Sequence, residues 1–309
     1  MLLRSNIPEL RGRILFTFGV LIVVRMGAHI PIPGINSDAL MDAFRAMQSQ
    51  NTLLGLFNMF AGGAFEMATL FALGIMPYIT TSIIFQLMGS VVPYFQRLQK
   101  EGEEGRKKLT QLTRYGTVGI SILQAYSITI FLESMTSSNG ISVVINPGIG
   151  FKFVAIVSIV TGTLLLMWLG ERITERGIGN GISLIIFSGI VAEIPRALVT
   201  TFELGRTGSI STLMIILLFI LLVFTIMFIV FMERALRKIL INYPKRQMGN
   251  KIFGGESSHL PLKINQAGVI PAIFASALLL LPVTFSNFNF SNNETFLNIS
   301  SFFSQGQPL

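Results

Sequence analysis

The stretch TLMIILLFILLVFTIMFIVFM, residues 212–232, contains no charged residue, no proline and no glycine. A helix rises about 1.5 Å per residue, so about 20 apolar residues cross a hydrocarbon core of roughly 30 Å. The backbone has to be helical there, because lipid offers no partner to an unpaired peptide group. This stretch therefore predicts a transmembrane helix and determines the fold class.

The composition of the whole chain agrees with a membrane protein. Of its 309 residues, 51% are hydrophobic and 12% are charged, whereas soluble domains carry about 25% charged residues. A chain this apolar buries enough surface to order itself, which excludes intrinsic disorder. It has no cysteine, which excludes a disulfide scaffold and a thiolate metal site. What remains is a polytopic membrane protein.

Seven apolar runs are long enough to span a bilayer. They are residues 14–32, 69–93, 116–132, 151–169, 182–200, 212–232 and 267–285. The sequence thus predicts an all-α, polytopic transmembrane helix bundle. An eighth apolar stretch, residues 53–65, is short and broken by three glycines, which is typical of a re-entrant or pore-facing segment. We expect no cleavable signal peptide, because the first run is too long and no small-residue cleavage site follows it.

The basic residues indicate the orientation. Most of the 23 Lys and Arg residues lie in the N-terminal arm or in the loops after the second, fourth and sixth runs. Because such residues are enriched on the cytoplasmic side, the N-terminus is predicted to be cytoplasmic. With seven spans the C-terminal tail, residues 286–309, would lie outside.

The sequence shows no group of residues typical of an enzyme. The two histidines, His29 and His259, are predicted on opposite sides of the membrane, which excludes a histidine metal site or a His–carboxylate relay. The glycine-rich run GIGNG, residues 177–181, lacks the preceding strand of a nucleotide-binding turn. We therefore expect no catalytic residues, no cofactor and no metal.

Charged residues within the membrane would indicate an ion or proton pathway. Arg25 lies in the outer half of the first run, where we expect it to extend toward the interface rather than form a functional ion pair. Glu66 and Glu193 are expected at the interface. A secondary transporter would place a carboxylate or a broken helix at mid-depth. The sequence shows no clear candidate, and a small-solute transporter remains the alternative function.

The loop at residues 233–265 carries seven Lys and Arg against two acidic residues. Anchoring of the preceding helix explains the basic residues beside it, but not those further along, Lys245, Arg246 and Lys251. An acidic cytoplasmic partner, such as ribosomal RNA or an acidic motor surface, is the other interpretation. A second basic region, at residues 96–114, leaves the same two interpretations open; its cluster is Arg106, Lys107 and Lys108.

Five strings along the chain resemble the SecY family, the central subunit of the bacterial Sec protein-conducting channel. They are IPIPGI (30–35), ALGIMPYITTSIIFQL (72–87), EGEEGRKKLTQLTRYGT (101–117), WLGERITERGIGNGIS (168–183) and HLPLKINQAGVIPAIFAS (259–276). The resemblance implies a passive channel for unfolded secretory polypeptides in the bacterial cytoplasmic (inner) membrane, which also releases transmembrane segments sideways into the lipid bilayer.

The resemblance also implies an hourglass pore, narrowed by a ring of aliphatic side chains. The matching residues here are Ile75, Ile79, Ile182, Ile186 and Ile273. The first two pairs have i, i+4 spacing, which places both side chains of each pair on one helix face. β-Branched side chains are stiff at χ1, which suits a seal of fixed bore.

The glycine-broken segment, residues 52–66, matches the family's plug, which fills the outer funnel at rest. The residues assigned to it are Phe57, Phe60, Gly62 and Gly63. The family's two halves would correspond to an N-terminal five-helix half, residues 1–205, and an incomplete C-terminal half, residues 206–309. The lateral gate would lie between helices 2 and 3 on one side and helices 7 and 8 on the other.

The partners implied are SecE, SecG, the SecA motor and the ribosome. Docking is expected at Lys245, Arg246, Lys251, Arg106, Lys107 and Lys108. The family has ten spans, of which we predict seven here, so an inactive truncated fragment is a further alternative.

Overall fold

The computed structural model describes residues 8–48, 62–137, 140–242, 246–248, 251–253 and 257–265. Of these, the residues up to Ala197 belong to one compact unit and those from Leu198 onward to another. The helices are α1 (Pro8–Gly27), α2 (Ser37–Gln48), α3 (Met76–Val91), α4 (Pro93–Lys100), α5 (Glu103–Ser134), α6 (Ile149–Arg176), α7 (Gly181–Arg206) and α8 (Thr212–Arg234). The strands are β1 (Leu236–Asn242), β2 (Arg246–Met248), β3 (Lys251–Phe253) and β4 (Ser257–Lys263).

Four of the described helices, α5 to α8, are each long and apolar enough to cross a membrane. Helices α3 and α4 satisfy the same test as a pair, but they are bent by 96° at their junction. The predicted count of seven spans is therefore not confirmed. The seventh run, residues 267–285, lies outside the described residues.

Prolines shift the boundaries of the first two predicted spans. Helix α1 ends at Gly27 and not at Ile32, because Pro31 and Pro33 follow and the residue before a proline disfavours helical geometry. Helix α3 begins only at Met76, with a proline in its first turn, a position where the missing N–H costs nothing. The stretch between them that we expected to be helical, residues 69–75, consists of a bridge residue, Thr69, which pairs with Pro31, followed by turns.

One apolar core of the first unit lies where α2, α5 and α6 meet residues 62–75. Helix α2, which the sequence did not suggest, begins after Asn36, whose Oδ1 accepts from the N–H groups of Asp38 (3.2 Å) and Ala39 (3.3 Å). Phe65 packs edge-on against Phe44, with ring centroids 5.5 Å apart. The largest side chains buried in this core include Ile32, Leu40, Leu73, Leu132 and Ile159.

Small residues and ion pairs join the helices of the first unit. A Cβ on Gly116 of α5 would come within 2.7 Å of the Thr81 methyl group on α3, and one on Gly162 of α6 would collide with the Leu70 carbonyl oxygen. Close backbone approach at small residues is how membrane helices associate, since lipid leaves no hydrophobic force between them. At one end of these helices, Arg114 donates from Nε and Nη2 to the two carboxylate oxygens of Glu171, at 3.0 and 2.8 Å.

The second unit contains the end of α7, helix α8 and two antiparallel strand pairs. Ser211 caps α8 by accepting from the Met214 N–H at 3.4 Å. Strand β1 pairs with β4 from Leu236↔Lys263 to Asn242↔Ser257, and β2 pairs with β3. The all-α prediction missed these strands. The alternating run LRKILIN and the run HLPLK carry a period of two that was available in the sequence.

Candidate functional site

A turn segment, residues 62–75, lies buried between α1, α6 and α7. Its backbone bonds to the loop after α1: the Leu70 N–H donates to the Ile30 oxygen, and the Ile32 N–H donates to the Ala68 oxygen, both at 3.0 Å. In a membrane protein, non-helical backbone is tolerated where protein groups satisfy it. The segment is therefore non-helical, and backbone hydrogen bonds to the loop after α1 stabilise it.

A small cavity of about 30 Å³ opens beside this segment. Its wall includes Phe71 and Ile75 from the segment, Leu166 from α6, and Ile185 and Ile186 from α7. A water molecule needs roughly 10–15 Å³ by this measure, so the cavity has room for very little solvent. The wall is mostly aliphatic and comes from elements distant in sequence.

Four of the five predicted ring isoleucines come together here. Ile75 and Ile186 line the cavity, while Ile79 and Ile182 pack against the same buried cluster. Ile75 immediately precedes α3, and the Ile79 N–H donates to its carbonyl oxygen at 3.2 Å, so the expected one-turn spacing is present. Ile273 lies outside the described residues. That these side chains surround a pore remains a prediction.

Ile185 belongs to the same surface, although the sequence interpretation did not select it. It is 7% exposed and lines the cavity beside Ile186. Residues three and four apart share a helix face, so Ile182, Ile185 and Ile186 form one aliphatic patch on α7. This i, i+3, i+4 pattern was the signal that would have identified it.

The two glycines assigned to the plug allow the segment to press against α7. Gly62 and Gly63 have φ values of +63° and +79°, a region that L-residues with side chains rarely occupy. A Cβ on Gly62 would lie 2.7 Å from the Gly189 Cα, and one on Gly63 would lie 2.6 Å from Oε1 of Glu193. Both glycines are therefore needed for the contact as well as for the turn. The other plug residues predicted, Phe57 and Phe60, lie outside the described residues.

The side chain of Arg25 has protein partners, which corrects the expectation that it simply extends to the interface. Its Nη1 donates to the Gly62 carbonyl oxygen at 2.7 Å, and its Nη2 lies 4.0 Å from Oε1 of Glu193. The Arg25 side chain is 33% exposed. A carbonyl and a carboxylate within reach satisfy the guanidinium where the surroundings are partly dry.

A second ion pair joins the turn segment to α7. Arg196 Nη2 is 3.6 Å from Oε1 of Glu66, whose side chain is only 11% exposed. Arg196 follows Glu193 by three residues on α7, so both face the segment from adjacent positions. The sequence interpretation placed Glu66 and Glu193 separately at the interface. Opposite charges at i, i+3 on α7 were the signal that they belong to one array.

The GIGNG run, residues 177–181, forms the turn between α6 and α7. Asn180 Oδ1 accepts from the N–H groups of Ile182 (3.0 Å) and Ser183 (3.4 Å) and so caps α7. The Ile178 N–H donates to Thr17 Oγ1 at 3.2 Å, which ties the turn to α1. These polar groups are engaged with the protein itself.

The basic residues predicted for docking fall in two places. Arg106, Lys107 and Lys108 are exposed near the start of α5, and Lys108 Nζ lies 4.0 Å from Oε2 of Glu101. Arg246 begins β2 and Lys251 begins β3, two strands paired as Arg246↔Phe253 to Met248↔Lys251. The remaining docking residue predicted, Lys245, lies outside the described residues.

Comparison with known proteins identifies the family. The SecY family model matches residues 69–308. The protein translocase subunit SecY of Rickettsia conorii is 51% identical over 301 residues, which are 97% of this chain and 69% of the relative. The same subunit of Escherichia coli K12 is 50% identical over 308 residues, 99% of this chain and 69% of the relative.

Solved structures have the same fold. One described as a protein-conducting channel matches 93% of this chain with a TM-score of 0.66 and 17% identity. Sec61 from the canine ribosome-channel complex of the endoplasmic reticulum matches 93% with a TM-score of 0.63 and 18% identity. The chain spans 61% of each of these two channel chains. The predicted resemblance and the SecY-like helical fold are confirmed: the chain belongs to the SecY family.

Proposed function

We propose that this chain forms the pore of a protein-conducting channel, which passes unfolded secretory polypeptides across a membrane and releases transmembrane segments sideways into lipid. Membership in a family whose relatives are named protein translocase subunits supports this function. The observation that carries it is the convergence of Ile75, Ile79, Ile182 and Ile186 on one aliphatic cluster beside a cavity. The proposal is a passive channel without catalytic activity.

The chemistry of this cluster suits a seal around a polypeptide. Aliphatic side chains offer no charge or hydrogen bond to an ion, and a narrow apolar constriction excludes water. Such a surface also binds no particular side chain of a polypeptide in transit, so it resists passage without selecting a sequence. Residues 62–66, at the end of the predicted plug, lie directly against this cluster through Ala64, which is fully buried.

The partners and the orientation belong to the same proposal. Basic residues at the start of α5 and in β2 and β3 would lie on the cytoplasmic side, where the positive-inside rule places them. Exposed Lys and Arg attract polyanions such as ribosomal RNA, and the attraction weakens as salt rises. One structural relative comes from a ribosome-channel complex. SecE, SecG and the SecA motor are proposed as the remaining partners, in the bacterial cytoplasmic membrane.

Ion leak tests the seal. Replacing Ile79 or Ile186 with glycine in the channel complex should raise the ion conductance of proteoliposomes, because each change removes an aliphatic side chain from the constriction. The matched control is Ile220→Gly on α8, whose side chain is 62% exposed and is not among the residues that line the cavity. Conductance unchanged by either ring variant, or raised equally by the control, would refute the constriction.

Export tests the function itself. We expect cells that depend on the channel complex containing Ile79→Gly or Ile186→Gly to export a secretory precursor at an altered rate, measured by pulse-labelling and signal-peptide cleavage. Ile220→Gly should leave the rate unchanged. A flux of a small solute that saturates with concentration, in place of polypeptide export, would favour the transporter alternative.

A further inference from the structure

Two basic and two acidic side chains lie in or beside the turn at residues 62–66. Arg25 comes from α1, Glu66 from the turn segment, and Glu193 and Arg196 from α7. Arg25 is paired with Glu193 and Arg196 with Glu66, so each charge faces an opposite one. The two basic and two acidic groups leave the array formally neutral. All four residues are outside the aliphatic ring to which the proposed function assigns the seal.

These four charged residues contact the turn at both of its ends. At Gly62, the carbonyl oxygen accepts from Arg25 at 2.7 Å, which connects the turn to α1. At Glu66, the carboxylate lies 3.6 Å from Arg196, which connects the turn to α7. Between them, Gly63 lies so close to Glu193 that a Cβ would reach within 2.6 Å of the carboxylate oxygen. One turn of chain is therefore bound to two helices by charged groups.

In both pairs the carboxylate is more buried than its basic partner. The Glu66 side chain is 11% exposed and that of Glu193 29% exposed. A carboxylate that has lost most of its water is costly unless a cation or hydrogen-bond donor replaces that water. Glu66 therefore favours the position of the turn that keeps its carboxylate beside Arg196, and Glu193 favours the position that keeps its carboxylate beside Arg25.

From this arrangement we infer that Arg25, Glu66, Glu193 and Arg196 are positioning residues, an electrostatic latch that holds residues 62–66 against α1 and α7 and so keeps the cavity beside Ile75 and Ile186 small. Arg25 both binds the turn and lines that cavity. Loss of the latch would let the turn move away from α7, with no change in the aliphatic ring itself. The consequence for sealing rests on the proposed function, whereas the position of the turn does not.

A single cysteine can report the position of the turn, because the natural chain has no cysteine. Ala64 is fully buried within the turn, so Ala64→Cys should react slowly with a water-soluble maleimide in the purified complex. Glu66→Gln, Arg196→Gln or Glu193→Gln should each speed labelling about five-fold, the factor expected when a partly exposed ion pair is lost. Raising the salt concentration should speed labelling of Ala64→Cys with all four charges intact, since ions screen such pairs.

Charge exchange separates electrostatics from packing. The double variant Glu66→Arg with Arg196→Glu restores opposite charges and should return labelling of Ala64→Cys toward the slow rate. The matched control is Glu175→Gln, which breaks an exposed pair on α6 in which Arg172 Nη1 lies 2.9 Å from Glu175 Oε2. A second reporter, Ile145→Cys in an exposed loop, should label equally fast in every background.

Each result bears on the latch. Labelling of Ala64→Cys that is indifferent to salt and to all three neutral variants would overturn it, as would a charge exchange that labels as fast as the single variants. Should a neutral variant fail to fold, the salt titration and the exchange still decide. If labelling responds but ion leak of Glu193→Gln proteoliposomes does not, the latch positions the turn and the proposed sealing function at this site is wrong.

Discussion

Helices α6 and α8 are both apolar enough to span a membrane, yet they have opposite surroundings. Half of the most apolar stretch of α6 is buried inside the protein, whereas none of that of α8 is. Helix α6 packs against α5, α1 and the turn segment, and Ile159 and Ile173 on it are fully buried. Every residue of α8 is described, and none of them is buried.

Small residues account for the difference. Helix α6 carries Gly162, Thr163 and Gly170 among its buried residues, and these let neighbouring backbone approach. Helix α8 carries Leu, Ile, Val, Phe and Met on all sides, with Thr225 exposed. Since lipid tails are as apolar as leucine, apolar side chains alone give two helices no reason to associate. Apolar composition determines whether a helix spans the membrane, and small residues determine whether it packs against neighbouring helices.

The largest effect is expected where α6 approaches most closely. In Gly162→Leu the new side chain would collide with the Leu70 carbonyl oxygen, a backbone atom that cannot move away cheaply. We expect a loss of about 3 kcal/mol or more of stability, the upper range for overpacking, measured as a lowered Tm of the purified protein. Thr225→Leu on α8 is the matched control and should leave the Tm unchanged. Equal behaviour of the two variants would contradict the difference between the helices.

A cavity made in α6 should have a smaller effect. Ile159→Ala removes a side chain that is 0% exposed, and we expect a cost of about 2 kcal/mol, the low end for such truncations. The cost is low because lipid solvates the unpacked helix, so packing is lost without transfer to water. Ile220→Ala on α8, where the side chain already faces outward, should cost nearly nothing. A Tm lowered equally by both would show that α8 is buried in a contact.

The smallest loss of stability is expected for substitutions near the ends of α6 and α8. Glu171 of α6 accepts two bonds from Arg114 of α5, and Glu171→Gln should cost about 1 kcal/mol because the pair is partly exposed. Glu233 of α8 accepts from the neutral amide of Asn265 at 2.8 Å, and Glu233→Gln should cost less. High salt should shrink the first loss, measured by Tm, and leave the second unaffected. The reverse ranking would mean that α8 is the more firmly held helix.

Several features of the fold were accessible from local patterns. The spans α5 to α8 were expected from apolar runs, and their cores were placed correctly because apolarity over about 20 residues has few other uses. The end of α1 and the start of α3 were misplaced, since Pro31, Pro33 and the first-turn proline of α3 outweigh apolarity in deciding where a helix begins. The strands β1 and β4 were missed because the prediction for residues 233–265 rested on their basic charge and ignored the period of two in their apolar residues.

The candidate site was likewise predictable from the sequence only in part. The spacing of Ile182 and Ile186 predicted a shared face, and α7 provides it. Resemblance, and not spacing, selected these isoleucines over the many others in the chain. The partners of Arg25 were inaccessible from sequence, because Gly62 and Glu193 lie far from it along the chain and only the turn segment brings them together.

The sequence by itself determined that this is a helical membrane protein of the SecY family, because solvation in lipid depends on the composition of each run and the five recognisable strings are local. Tertiary structure alone decided which apolar helices are buried and which face outward. It also decided that Ile75, just before α3, shares one cavity wall with Ile185 and Ile186 of α7 and that Arg25 binds the glycine turn. These depend on close approach between distant segments, and close approach depends on the shape of both surfaces at once, which no single stretch of chain contains.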